Sequence, residues 1–125
     1  MKVFIMLGSV NAFISVALGA FGAHGLRDKV TPELLLRWEK AVDYQLYHAL
    51  ALLIIALCIK LWPDVRRVRT AGLLLFMGIM LFSGSLYALV LTGIRPLGMI
   101  TPVGAIAFLC GWLLLAFSAR DFSHY

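Results

Sequence analysis

Four apolar stretches set the pattern of this chain: Val3 to Phe21, Tyr44 to Leu61, Ala71 to Leu91 and Pro102 to Phe117. Apart from Lys60 near the end of the second, none carries a charged side chain. A helix needs about 20 apolar residues to cross a hydrocarbon layer roughly 30 Å thick. The stretches lack strand-like alternation and are about twice the length of a membrane-barrel strand. In lipid, a helix also satisfies its backbone donors and acceptors within its own segment. The pattern predicts an all-α protein, a four-helix transmembrane bundle with spans at about 3–23, 44–61, 71–91 and 102–118, forming a single integral membrane domain over residues 1–125.

The connections add detail. Thr31-Pro32-Glu33 reads as a helix start: a hydroxyl cap, proline at the first helical position and an acid in the first turn. No breaker follows until Pro63, so the second helix is expected to run from Pro32 to Leu61, about 45 Å at 1.5 Å per residue. Its first turns, about 32–43, form an amphipathic extension at the membrane interface, with Leu34, Trp38 and Ala41 on one side and Glu33, Arg37, Lys40 and Asp43 supplying charge. Trp38, Tyr44 and Tyr47 are expected to mark the bilayer boundary. Thr70 and Thr101-Pro102 are expected to open the third and fourth spans.

Composition strengthens the membrane reading. Hydrophobic residues make up 62% of the chain and charged residues 14%, against about 25% charged in an ordinary soluble domain. Such a surface faces lipid. The net charge of +5 does not point to nucleic acid, because Arg66, Arg67 and Arg69 cluster in one short loop between spans, where basic residues report orientation and headgroup contact. With the N-terminus inside, six Lys and Arg fall on the inner side (Lys2, Lys60, Arg66, Arg67, Arg69, Arg120) and five on the outer (Arg27, Lys29, Arg37, Lys40, Arg95). The outer set is diluted by acids, so both termini are read as cytoplasmic. Cys58 and Cys110 lie within spans and match no metal-ligand spacing. The first span exceeds the 7–15 residues of a signal-peptide apolar region and is read as retained.

Small residues are the means by which spans approach closely in lipid. Gly8, Ser15 and Gly19 lie near one side of the first span with Asn11, whose amide is expected to bond a neighbouring helix. Gly84 on the third span and Gly104 and Gly111 on the fourth are the corresponding packing positions. The same faces would serve a homo-oligomer or a membrane-protein partner.

The chemistry-bearing residues gather near the second span. Tyr44 and Gln45 precede His48 by four and three residues, within reach on a helix. His24 closes the first span and Tyr87 the third, so His24, Tyr44, Gln45, His48 and Tyr87 form a candidate polar site near one membrane face. Glu39 and Asp43 fall on other sides of the second helix, which disfavours a metal site built from them with His48. No catalytic triad, HExxH, P-loop, CxxC or dinucleotide fingerprint is present, and no enzyme is expected, nor any resident cofactor. Two other classes stay open. One is an ion or small-molecule pathway lined by Asn11, Ser15, Ser83 and Ser85, although no span carries the carboxylate that proton coupling normally uses. The other is a haem, metal or quinone binder through His24 and His48.

The segments GAFGAHGL at 19–26 and YQLYHALAL at 44–52 are similar to two motifs of the YgdD-like small inner-membrane proteins, a domain-of-unknown-function family with a related small animal transmembrane protein. The resemblance covers nearly the whole chain and implies bacterial plasma-membrane residence, multiple spans and a retained first span. It implies no activity. The resulting expectation is a small structural or accessory membrane protein, whose partners are the lipid bilayer and another copy or another membrane protein.

Overall fold

The computed structural model describes residues 1–122, and among them the regular elements are all helical. Helix α1 spans Lys2–Phe21 and continues into a wide π-helical turn, Gly22–Leu26. Helix α2 spans Pro32–Leu61 without interruption. Helices α3 (Arg66–Gly78) and α4 (Gly84–Thr92) are joined by a second π-turn, Ile79–Ser83, into one span. After a 3₁₀ turn at Arg95–Met99, α5 runs over Thr101–Ser118. The helical stretches Lys2–Leu26, Pro32–Leu61, Arg66–Thr92 and Arg95–Asp121 are each long and apolar enough to cross a membrane. The chain is therefore a four-span bundle.

Local chemistry explains the boundaries. The Leu34 amide donates to the Thr31 hydroxyl at 3.2 Å, and Pro32 occupies the first helical position of α2. Pro63 stops the helix by forcing the residue before it out of α geometry, and Trp62 accordingly sits at φ −134° and ψ 68°. Gly93, at φ +71°, turns the chain out of α4, a conformation glycine adopts without a Cβ penalty. Two expected caps do other work. Thr70 lies inside α3, which begins at Arg66. Thr101 is the first residue of α5, and its hydroxyl lies 2.6 Å from that of Ser85 on α4.

Consecutive spans pack antiparallel. Gly8 meets Ala49 and Leu53, and Gly19 meets Val42 further along. Gly72 of α3 lies against Phe4 and Ile55, while Gly104, Gly78 and Gly111 face Phe82, Phe108 and Leu75 respectively. Gly84 is not a packing glycine: it is exposed, and a Cβ built there would meet nothing within 4 Å. The π-turn before it hands the inward position to Ser83 and Ser85, both buried. The main core, including Leu52, Ile55, Leu75, Ile79 and Phe108, fills the half of the bundle that holds the chain termini. A smaller cluster around Leu26, Trp38 and Val90 fills the other half.

The first turns of α2 run straight into the span. Their charged side is exposed, but Trp38 is only 2% exposed, so it is a core residue and not a boundary marker. Its indole N–H donates to the Leu18 carbonyl at 2.8 Å, and its ring lies 4.7 Å from that of Tyr87. Gly22 makes room for it, since a Cβ there would fall 2.5 Å from the Trp38 ring.

Candidate functional site

Two polar clusters occupy the interior. In the first, Gln45 bridges three helices. Its amide N–H donates to the Asn11 side-chain oxygen on α1 at 3.0 Å, and its own oxygen accepts from the Tyr87 hydroxyl on α4 at 2.7 Å. Asn11 in turn donates to the Leu7 carbonyl at 2.8 Å. One turn from Gln45, the Ser83 hydroxyl donates to the Ala41 carbonyl at 2.7 Å. Asn11 and Gln45 are each 4% exposed, and Asn11 is central in its helix, so the cluster lies deep in the span. Among the described residues, no buried side-chain nitrogen or oxygen lacks a partner.

In the second cluster, His48 is fixed on both ring nitrogens. Nδ1 lies 2.7 Å from the Tyr44 carbonyl, and Nε2 lies 3.0 Å from the Trp112 indole nitrogen on α5. A carbonyl only accepts and an indole N–H only donates, so these partners select the neutral imidazole protonated at Nδ1. The ring stacks on Phe108 at 3.6 Å and 10°. Tyr44 stacks on Phe82 at 4.5 Å and 19°, closing an aromatic seam between α2, the second π-turn and α5.

The five residues singled out by spacing therefore separate. Gln45 and Tyr87 join Asn11. His48 and Tyr44 form the aromatic seam. His24 stands apart, exposed on the π-turn after α1. Gln45 does not bond His48, because its amide points toward α1 and α4. His48 also sits deeper than a boundary residue: its partner Trp112 lies well inside α5. The His24–His48 pair does not suit a haem iron or metal, since the only His48 lone pair already accepts from Trp112. Among the described residues, no three His, Cys, Asp or Glu side chains converge as metal ligands. The serines proposed to line a pathway are also engaged: Ser15 bonds the Ala12 carbonyl, and Ser85 lies within bonding distance of Phe82 and Thr101.

Sequence reasoning missed Trp112 and Phe108. An indole N–H within an apolar span needs an acceptor, and His48 was available; that requirement was the usable signal.

The family model described as "Protein of unknown function (DUF423)" matches residues 18–105. A "UPF0382 membrane protein" of Staphylococcus epidermidis is 52% identical over 98% of this chain and 99% of its own length. One from Staphylococcus saprophyticus is 53% identical over 92% of this chain and 94% of its own. The "UPF0382 membrane protein YwdK" of Bacillus subtilis is 49% identical over 95% and 97%. No solved structure matches the chain. With the model covering most of the chain and near-full-length relatives at about half identity, this protein belongs to the DUF423 family of membrane proteins of unknown function.

Proposed function

We propose that this protein is a non-enzymatic accessory component of the bacterial plasma membrane that acts by lateral association with another polypeptide, with both termini in the cytoplasm. The observation that carries the reading is the use of the interior polar groups. Asn11, Gln45, Tyr87, Ser83 and His48 all bond within the bundle and tie its helices together. Chemistry spent on internal bonds supports a rigid body better than an ion pathway. The surfaces left for work are the apolar outer faces, such as Val10 and Phe13 on α1 and Ile106 and Leu109 on α5, all exposed. Association there relies on van der Waals packing, because lipid offers no hydrophobic drive between spans.

Orientation rests on charge. The end holding both termini carries six Lys and Arg, and three of them, Arg66, Arg67 and Arg69, crowd the short connection between the second and third spans. The opposite end carries five, spread from Arg27 to Arg95. Basic loops stay cytoplasmic.

A photocrosslinking amino acid at Phe13 or Leu109 in living cells tests the association. A discrete protein adduct of one mass at one position, another copy or a distinct polypeptide, is expected. Lipid adducts alone at both positions would overturn the reading. For topology, in a variant without Cys58 and Cys110, an impermeant thiol reagent should label Lys29→Cys and spare Asp64→Cys in intact cells. The reverse pattern would invert the orientation.

A further inference from the structure

At the end of the bundle opposite the termini, a cleft of about 390 Å³ opens between the start of α2 and the end of α4. Thr31, Leu34, Arg37, Leu89, Gly93 and Arg95 line it, with Glu33 at the side. Its shape follows from the backbone. Gly93 turns the chain out of α4, and the Arg95–Met99 turn folds back against α4, with Gly98 beside Leu89. Arg37 reaches across to that turn: a Cβ built on Gly98 would lie 4.0 Å from its Nη1. Two guanidinium groups from different spans thus border one cleft. Arg37 is paired with Glu33 at 3.3 Å, and that pair is exposed. Arg95 has no ion-pair partner among the described residues.

A second groove adjoins the first, because Glu33 and Arg37 border both. It is lined by Leu36, Phe82 and Leu86 as well as Lys40 and Thr101. Along α2 the groove runs from Glu33 to Lys40, roughly 10 Å at 1.5 Å per residue. The bordering charges are Arg37, Arg95 and Lys40 against Glu33, a net of 3 − 1 = +2.

From this arrangement, a cationic cleft at the membrane edge continuous with an apolar groove running into the membrane, we infer that this end of the bundle binds an anionic phospholipid. The phosphate lies between Arg37 and Arg95, and one acyl chain lies along Leu36, Phe82 and Leu86. Guanidinium groups hold phosphate oxygens by paired charge-assisted bonds, and Arg37 has donors to spare beyond its bond to Glu33. The amphiphilic pairing of head and tail sites favours a lipid over a free anion. The site is independent of any protein partner on the outer faces of α1 and α5.

The test is native mass spectrometry of the full chain in mild detergent with added phosphatidylglycerol or phosphatidylcholine. The wild-type protein is expected to retain phosphatidylglycerol in preference to phosphatidylcholine. The Arg37→Gln/Arg95→Gln variant should retain it about ten-fold less, the loss expected for one charge-assisted bond or more. Arg66→Gln/Arg67→Gln, which removes the same charge at the opposite end, should match wild type. Leu36→Asn, an exposed change in the groove, should weaken retention without altering the head site. Arg95→Gln alone carries the test if the double variant is poorly folded. Equal retention by the two double variants would overturn the site, as would equal retention of the two lipids. Displacement of the lipid by inorganic phosphate alone would show a free-anion site and overturn the lipid assignment.

Discussion

Gln45 shows how much one side chain can hold. Its amide joins α1 to α4 through α2, and Gln45→Leu would leave the Asn11 oxygen and the Tyr87 hydroxyl without their partner. Interhelical hydrogen bonds in membranes contribute about 0.6 kcal/mol on average, up to about 1.7, so the two together predict a loss of roughly 1–3 kcal/mol. Equilibrium unfolding in a denaturing detergent would measure it, and an unchanged midpoint would show that the network is not stabilising. The glycines make a second residue-scale contrast. A Cβ at Gly104 would collide with the Phe82 backbone, which cannot turn aside, whereas one at Gly84 would meet nothing. Gly104→Ala is expected to lower stability by at least about 2 kcal/mol, within the range for overpacking. Gly84→Ala should be neutral or stabilising by up to about 1 kcal/mol through helix propensity. Comparing the two unfolding midpoints decides it.

At the scale of elements, the sequence was most legible where a local signal sufficed. Thr31, Pro32 and Pro63 marked both ends of α2 because caps and proline act within a few residues. Thr31→Ala should therefore destabilise by about 0.5–2 kcal/mol, read by the same unfolding assay, with faster amide hydrogen exchange confined to the first turns of α2. Several misreadings turned on a partner in space, and Gly84 on a break in helical phase. Trp38 has the composition of a boundary residue, and only the Leu18 carbonyl and the gap at Gly22 make it a core one. Thr101 resembles a cap, but Ser85 lies close enough to claim its hydroxyl. Gly84 shares a helical face with small residues until the π-turn shifts it outward. Of the candidate polar residues, spacing brought Tyr44, Gln45 and His48 near one another on α2, yet their partners come from α1, α4, the second π-turn and α5. One helix's periodicity carries no information about which neighbour each face will meet.

For the whole molecule, the accessory reading predicts a barrier and not a conduit. Reconstituted liposomes holding a potassium or proton gradient should leak no faster than empty ones, and Asn11→Ala should not change that. Flux above background in the wild type would contradict the accessory reading while leaving the lipid site untouched. His48 bears on the same question. A histidine with its Nδ1 beside a carbonyl and its Nε2 beside an indole N–H has no free site for a travelling proton. His48→Phe should therefore disturb the packing of α5, visible as a changed Trp112 fluorescence, without creating or removing any conductance.

The π-turn at Ile79–Ser83 gives the third span a change of phase. Before it, Leu75 and Gly78 lie against α5; at its last residue and beyond, Ser83 and Tyr87 engage α2. A π-turn amounts to one residue inserted into an α-helix, which rotates everything downstream by about 100° relative to an unbroken rod. The span thus behaves like a sentence with a frameshift in the middle, whose first half leans chiefly on α5 and whose second leans chiefly on α2. Straightening the span at its present length would restore ideal helical bonding and, in doing so, turn Tyr87 away from Gln45. The locally improved helix would make the poorer protein.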